Sequence, residues 1–227
     1  MSSSAPTDIP VDSATDPAAS PPMRRKPGRP PRAEGARDTR EALLRAGLEV
    51  LTEKGFAASG LDELLRRVGV PKGSFYYYFD SKEAFGAALI ERYAAYFARK
   101  LDRHFLDEAL SPLARLQAFV DDACAGMARH AFRRGCLVGN LGQEIAALPE
   151  AYRESLRAVL ADWESRLAAC LEAAKEAGEL AAGADCTRLA AYFWTGWEGA
   201  VLRAKLEGNE RALRLFAEGF VATLPRR

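Results

Sequence analysis

From Asp38 onward apolar residues recur every three to four positions, and no stretch alternates convincingly as a strand would. The pattern predicts an all-α chain. A first helix spans about Asp38 to Lys54, with Leu43, Leu44, Gly47, Leu48 and Leu51 on one face and Gly55 as its C-terminal cap. Ser59, with Asp62 three residues on, predicts the N-cap of a second helix from Leu61 to Val68. Gly69 closes that helix, and Pro71 opens a short third one, Lys72 to Phe79. Asp80 or Ser81 then caps a longer helix reaching about Phe105. Further helices are expected near 112–132, 137–147, 150–178, 185–207 and 209–223, broken at Gly135, Pro149, Gly178 to Gly183 and Gly208.

Two short helices joined by Gly69-Val70-Pro71 have the form of a helix-turn-helix, whose second helix enters the major groove of DNA. Helical spacing divides that second helix. Phe75 and Phe79 stand four apart and share a buried face. Lys72, Ser74, Tyr76, Tyr77 and Tyr78 occupy other directions, since three successive tyrosines cannot all point inward. Gly73 removes a side chain where a phosphate backbone must come close.

Charge sharpens this picture. The 227 residues carry 32 basic and 31 acidic side chains, a net of +1, which excludes a globally basic packaging protein. Yet residues 23–82 hold 13 basic and 8 acidic side chains, while 83–227 hold 19 and 20. A basic module joined to a near-neutral one points the first module at a polyanion. Eight of the twelve prolines precede Ala33, and residues 1–22 read as a disordered tail. Residues 24–32 contain five cations and no acid, either a solvated linker or an arm whose Arg25 and Arg29 reach a DNA groove. The Lys26-Pro27-Gly28-Arg29-Pro30 core is similar to a minor-groove AT-hook but lacks its Arg-Gly-Arg-Pro. The expected division is 1–32 for tail and arm, 33–82 for the helix-turn-helix domain and 83–227 for a second helical domain.

With 48% hydrophobic residues the chain can build a substantial core, but no uncharged run approaches the roughly 18 residues of a membrane helix. The first 22 residues lack the cations and apolar region of a secretory signal, so a cytoplasmic protein with reduced thiols is expected. Two histidines and four cysteines without a C-x-x-C pair leave no metal-site spacing, and neither a cofactor loop nor a nucleophile–base pair is visible. No cofactor, no metal and no enzymatic activity are expected.

The segment Leu61 to Phe85, with Val70-Pro71-Lys72-Gly73-Ser74-Phe75-Tyr76-Tyr77-Tyr78-Phe79 followed by Ser81-Lys82-Glu83, resembles the DNA-binding domain of TetR-type transcriptional repressors. The resemblance implies that Lys72, Gly73, Tyr76, Tyr77, Tyr78 and Lys82 match DNA-contacting positions, and Ser59 a phosphate-binding cap. Residues 133–144 and 196–205 resemble a subgroup of that family responding to electrophiles, together with an acrylate-responsive type. It implies a homodimer on a near-palindromic double-stranded operator, released by an electrophile or an acrylate-like acid. By the same resemblance the last two helices, with Leu189, Phe193, Leu202, Leu206, Leu213, Leu215, Phe216 and Phe220, form a four-helix dimer interface.

Cys136 follows Arg133 and Arg134 at an expected helix start, and both features should lower its pKa. In the electrophile-sensing relatives the matching cysteine is the sensor, and a lysine matching Lys205 partners it. Residue chemistry alone leaves three roles open for Cys136: covalent sensor, wall of a reversible pocket, or core residue. Cys124, Cys170 and Cys186 read as core residues. Trp194, Trp197 and Glu198 mark either a dimer-interface or core helix or a ring-walled ligand cavity, with Glu198, Arg203 or Asn140 as polar contacts.

Overall fold

A computed structural model describes residues 32–226, so the expectations for the tail, the basic arm, Arg25 and Arg29 lie outside the described residues. The described residues form helices joined by short turns, with no strand among them: α1 (Arg32–Lys54), α2 (Leu61–Val68), α3 (Lys72–Tyr78), α4 (Lys82–Phe105), α5 (Pro112–Ala128), α6 (Leu137–Gln143), a single 3-10 turn (Ile145–Ala147), α7 (Glu150–Glu176), α8 (Cys186–Glu207) and α9 (Arg211–Thr223).

Local signals set most of these limits. Gly55, Gly69 and Gly208 end α1, α2 and α8 with left-handed backbone, which costs glycine nothing. Ser81 caps α4 by accepting the Ala84 N–H at 3.0 Å. Three expectations change. Helix α1 begins at Arg32, because Ala33 to Arg37 are compatible with a helix although they show no apolar periodicity. Helix α5 stops at Ala128 rather than 132, where Ala131 and Phe132 turn left-handed and the Phe132 N–H reaches back to the Met127 carbonyl. Helix α6 ends at Gln143, before a separate 3-10 turn.

Helices α1 to α3 and the start of α4 close around Leu43, Leu44, Leu51, Leu64, Leu65, Phe75, Phe79 and Phe85. Helix α4 continues into the second domain, where it lies against α5 and α7, while α8 bridges α7 and α9. An aromatic cluster fills that domain: Phe97 against Trp163 at 4.3 Å, Trp163 against Trp194 at 5.0 Å, and Phe193 stacked on Trp197 at 5.4 Å between ring centroids. No helix of the described residues is long and apolar enough to cross a membrane.

Candidate functional site

Helix α3 divides as its spacing predicts. Phe75 is fully buried between Phe79 and Phe85, whereas Tyr77 is 70% exposed and Tyr76, Lys72 and Gly73 also face water. Tyr78 and Ser74 are half-buried, and the Tyr78 ring meets Tyr77 edge to face. The Lys72 ammonium lies 3.5 Å from the Asp62 carboxylate across the turn, both side chains largely exposed. A methyl at Gly73 would meet nothing within 4 Å, so no packing inside the subunit requires glycine there. Two residues stand differently from expectation. Gly60, not Ser59, is the N-cap of α2; Ser59 is buried and its hydroxyl donates to the Phe56 carbonyl at 2.7 Å, because the α1–α2 loop folds over it. Lys82 turns to the same loop, donating to the Phe56 carbonyl at 3.1 Å with its ammonium over the Phe56 ring.

In the second domain two cavities meet at Cys136. One, of about 330 Å³, is lined by Cys136, Asn140, Gln143, Glu198, Leu202 and Lys205. The other, of about 230 Å³, is walled by Tyr93, Phe97, Phe119, Met127 and Trp197, with Lys100, Arg129, His130 and Arg134 also along it. Gly135, Cys136, Glu198 and Val201 belong to both. Trp197 and Glu198 therefore do line a cavity. Trp194 instead packs behind it, with its indole N–H donated to the Trp163 carbonyl at 2.9 Å. Arg203 points outward and pairs with Glu207, one turn along α8, so it is not a polar wall of either space.

The Cys136 electrostatics reverse the expectation. Its sulfur caps α6, accepting the Gly139 N–H at 3.5 Å and the Tyr93 hydroxyl at 3.7 Å. Burial, reinforced by the Glu198 charge, pushes the thiol well above its ordinary range rather than below it. Neither arginine compensates: Arg133 faces water, and Arg134 is engaged with Glu49 at 3.4 Å and Glu53 at 3.3 Å. Burial likewise raises the Glu198 carboxyl to about 7. It lifts the Tyr93 hydroxyl too. Cys124, Cys170 and Cys186 are buried thiols, each raised to about 11 by desolvation, as core cysteines would be.

The Lys205 ammonium is not on the sulfur. It donates to the Thr52 and Glu53 carbonyls at 3.2 and 2.7 Å, at the C-terminal end of α1 where a cation suits the helix dipole. Asn140 adds bonds to the Leu51 and Thr52 carbonyls at 2.9 and 3.0 Å, and the Gly135 N–H another to Thr52 at 3.0 Å. Glu144 accepts the Phe56 and Ala57 N–H groups at 2.8 and 3.0 Å, satisfying the loop that leads into α2. Tyr152 donates to the Glu83 carbonyl at 2.6 Å. Sequence reasoning missed Tyr93, Glu144 and Tyr152. A carboxylate in the next domain capping a loop some 90 positions away leaves no periodic or spacing signal.

Known proteins match both regions. Residues 43–89 fit the family described as bacterial regulatory proteins, tetR family, and residues 112–220 the tetracyclin repressor-like C-terminal domain. The transcriptional regulator AcuR of Cereibacter sphaeroides is 53% identical over 206 residues, 91% of this chain and 94% of the relative. A crystal structure of regulatory protein TetR from Rhodobacter sphaeroides, 54% identical, superposes with a TM-score of 0.80 over 82% of this chain and 98% of that one. The reduced form of E. coli NemR, 30% identical, gives 0.76 over 84% and 98%. Both regions thus match models of one family, and the chain belongs to the TetR family of bacterial transcriptional regulators.

Proposed function

We propose that the protein is a homodimeric repressor whose residues 33–82 read a near-palindromic operator and whose residues 83–227 take an electrophilic or unsaturated-acid effector, sensed at Cys136. Each subunit presents the exposed face of α3, with Lys72, Gly73, Tyr76 and Tyr77, to one major-groove half-site. Copies pair through the outer face of α8 and α9, where Tyr192, Leu206 and Leu215 stand exposed, Leu206 at 77%. Of the residues expected there, Phe193, Leu213 and Phe220 are buried inside the subunit and serve its own core.

One observation carries the effector half of this reading. Gly135, Asn140 and Lys205 line the cavity beside Cys136 and also hold the last carbonyls of α1. An occupant or adduct that displaces them moves α1, and α1 packs on α2, which sets the position of α3. A packed junction accommodates added volume poorly. Differential affinity of a few kcal/mol between two arrangements is enough to empty an operator. The subgroup that residues 133–144 and 196–205 resemble, and a relative crystallised in a named reduced form, support a covalent step at the cysteine. The raised thiol and the ring-walled second cavity favour the alternative, a reversible ligand held by Trp197 and Glu198 without a covalent bond.

The test begins with selection of bound DNA from a random pool. Operator binding should be dimeric, with a log–log salt slope of roughly −5 if about six phosphates are neutralised. Wild type, Cys136→Ser and Lys205→Met are then treated with a quinone, acrylate and dilute hypochlorite, following operator release and adduct mass. Release of wild type but not of Cys136→Ser supports covalent sensing. Equal responses to all three reagents overturn it in favour of the reversible pocket.

A further inference from the structure

Cys136 lies between a cavity on either side, yet it lacks what usually activates a thiol, a cation at the sulfur. Arg134 is paired with glutamates, Arg133 is exposed, and Lys205 is spent on carbonyls. What surrounds the sulfur is different: two donors, the Gly139 N–H at 3.5 Å and the Tyr93 O–H at 3.7 Å, and one acceptor beside it, the Glu198 carboxylate, which lines both cavities with Cys136 and lies over Gly139. Glu198 approaches so closely because position 139 is glycine; a Cβ there would collide with the carboxylate oxygen. Glu198 borders both cavities, and neither Lys100, Arg129, His130 and Arg134 in the one nor Lys205 in the other forms an ion pair with it.

We propose that Glu198 is the general base that takes the Cys136 proton as the sulfur adds to an α,β-unsaturated acceptor, with Gly139 and Tyr93 holding the sulfur as it gains charge. This inference rests on the covalent reading above and assigns the groups that carry it out. The S–H bond breaks and its proton passes to a Glu198 oxygen. The sulfur electron pair forms the C–S bond to the β-carbon of the acceptor, and the alkene π electrons move to the carbonyl as an enolate. The carboxylic acid returns the proton to the α-carbon. The products are a thioether and a regenerated Glu198 carboxylate, with no net redox change. The Glu198 value of about 7 lets one carboxyl both accept and return a proton near neutrality. Tyr93, Cys136 and Glu198 are the titratable groups in contact, from α4, the start of α6 and α8; Tyr93 and Cys136 are both raised and stay neutral across that range.

The experiment uses the full chain and acrylamide, a neutral acceptor whose own charge does not titrate, with the rate of Cys136 alkylation followed by peptide mass between pH 5.5 and 9.5. The wild-type rate should rise through an inflection near pH 7. Glu198→Gln keeps size and shape, should lower the rate at pH 7.5 by about 100-fold, and should abolish the inflection. The opposing result has the opposite sign. If the carboxylate acts only as a like charge that raises the thiol, Glu198→Gln alkylates faster than wild type, and the proposal is overturned. Glu198→Asp, whose shorter carboxylate can still take the proton, should restore part of the rate together with the inflection. If Glu198→Gln fails to fold, the wild-type profile decides: a tenfold climb per pH unit without a neutral inflection rejects the base. Absence of any Cys136 adduct in the wild type defeats the covalent reading itself, whereas adducts forming equally fast in Glu198→Gln defeat the base alone.

Discussion

On α3 the side chains assigned to DNA stand in water, Tyr77 at 70% exposure, while at α6 Cys136 is buried with Tyr93, Gly139 and Glu198 around its sulfur. In the first region the groups proposed to meet DNA have few contacts inside the subunit; a methyl added at Gly73 would meet no other side chain within 4 Å. In the second the chemistry of each group is set by its neighbours. An exposed side chain keeps the properties of its residue type, so its role follows from its position on a helix. A buried one takes its protonation and its reach from elements far away in sequence, and here those elements reversed the sign of the Cys136 shift.

The largest effect should separate core from surface within α3. Phe75→Ala should lower stability to urea by about 3–5 kcal/mol, because the ring is fully buried against Phe79 and Phe85. Tyr77→Ala should shift stability by less than about 0.5 kcal/mol and still weaken operator binding at least tenfold by fluorescence anisotropy. A stable Phe75→Ala beside an unfolded Tyr77→Ala would mean the faces are reversed.

Next comes the seam between the two regions. Glu144→Ala removes the acceptor of two loop N–H groups and should cost about 1–3 kcal/mol in chemical denaturation. It should weaken operator binding while leaving Cys136 alkylation unchanged. If alkylation changes as much as DNA affinity does, the loop and the cavity are not separable.

A smaller and signed effect belongs to Glu198. Its folded value of about 7 lies above the ordinary 4.5, so its contribution to stability is full below pH 4.5 and is lost as pH rises through 7. Allowing for its partial access to solvent, the loss should be about 1 kcal/mol. Glu198→Gln should flatten this slope in urea midpoints taken at pH 5 and 8; an equally steep slope in the variant would assign it to another group.

Smallest in stability is Gly73→Ala. Alanine favours an exposed helix position by at most about 1 kcal/mol over glycine, so this variant should be as stable as wild type or slightly more so. Operator binding should nonetheless fall severalfold if, as proposed, the DNA backbone approaches α3 at this position. Unaltered binding would remove phosphate approach as the reason for glycine at this position.

The sequence by itself determined the elements whose causes are local. The period of apolar positions marked the helices, the left-handed glycines 55, 69 and 208 marked their ends, and the four-residue spacing of Phe75 and Phe79 sorted inward from outward on α3. Signals failed where a distant contact overrode a local rule. Ser59 has the chemistry of a cap, but loop burial gave its hydroxyl to Phe56. Lys205 has the charge to partner a thiolate, but the free carbonyls of α1 took its ammonium. Arg133 and Arg134 precede Cys136 directly, yet one points to water and the other to Glu49 and Glu53. Only the tertiary structure could decide these, because a hydrogen bond or a desolvation penalty depends on which groups lie within a few ångströms, and chain separations such as that between Asn140 and Leu51 leave no trace in any local pattern.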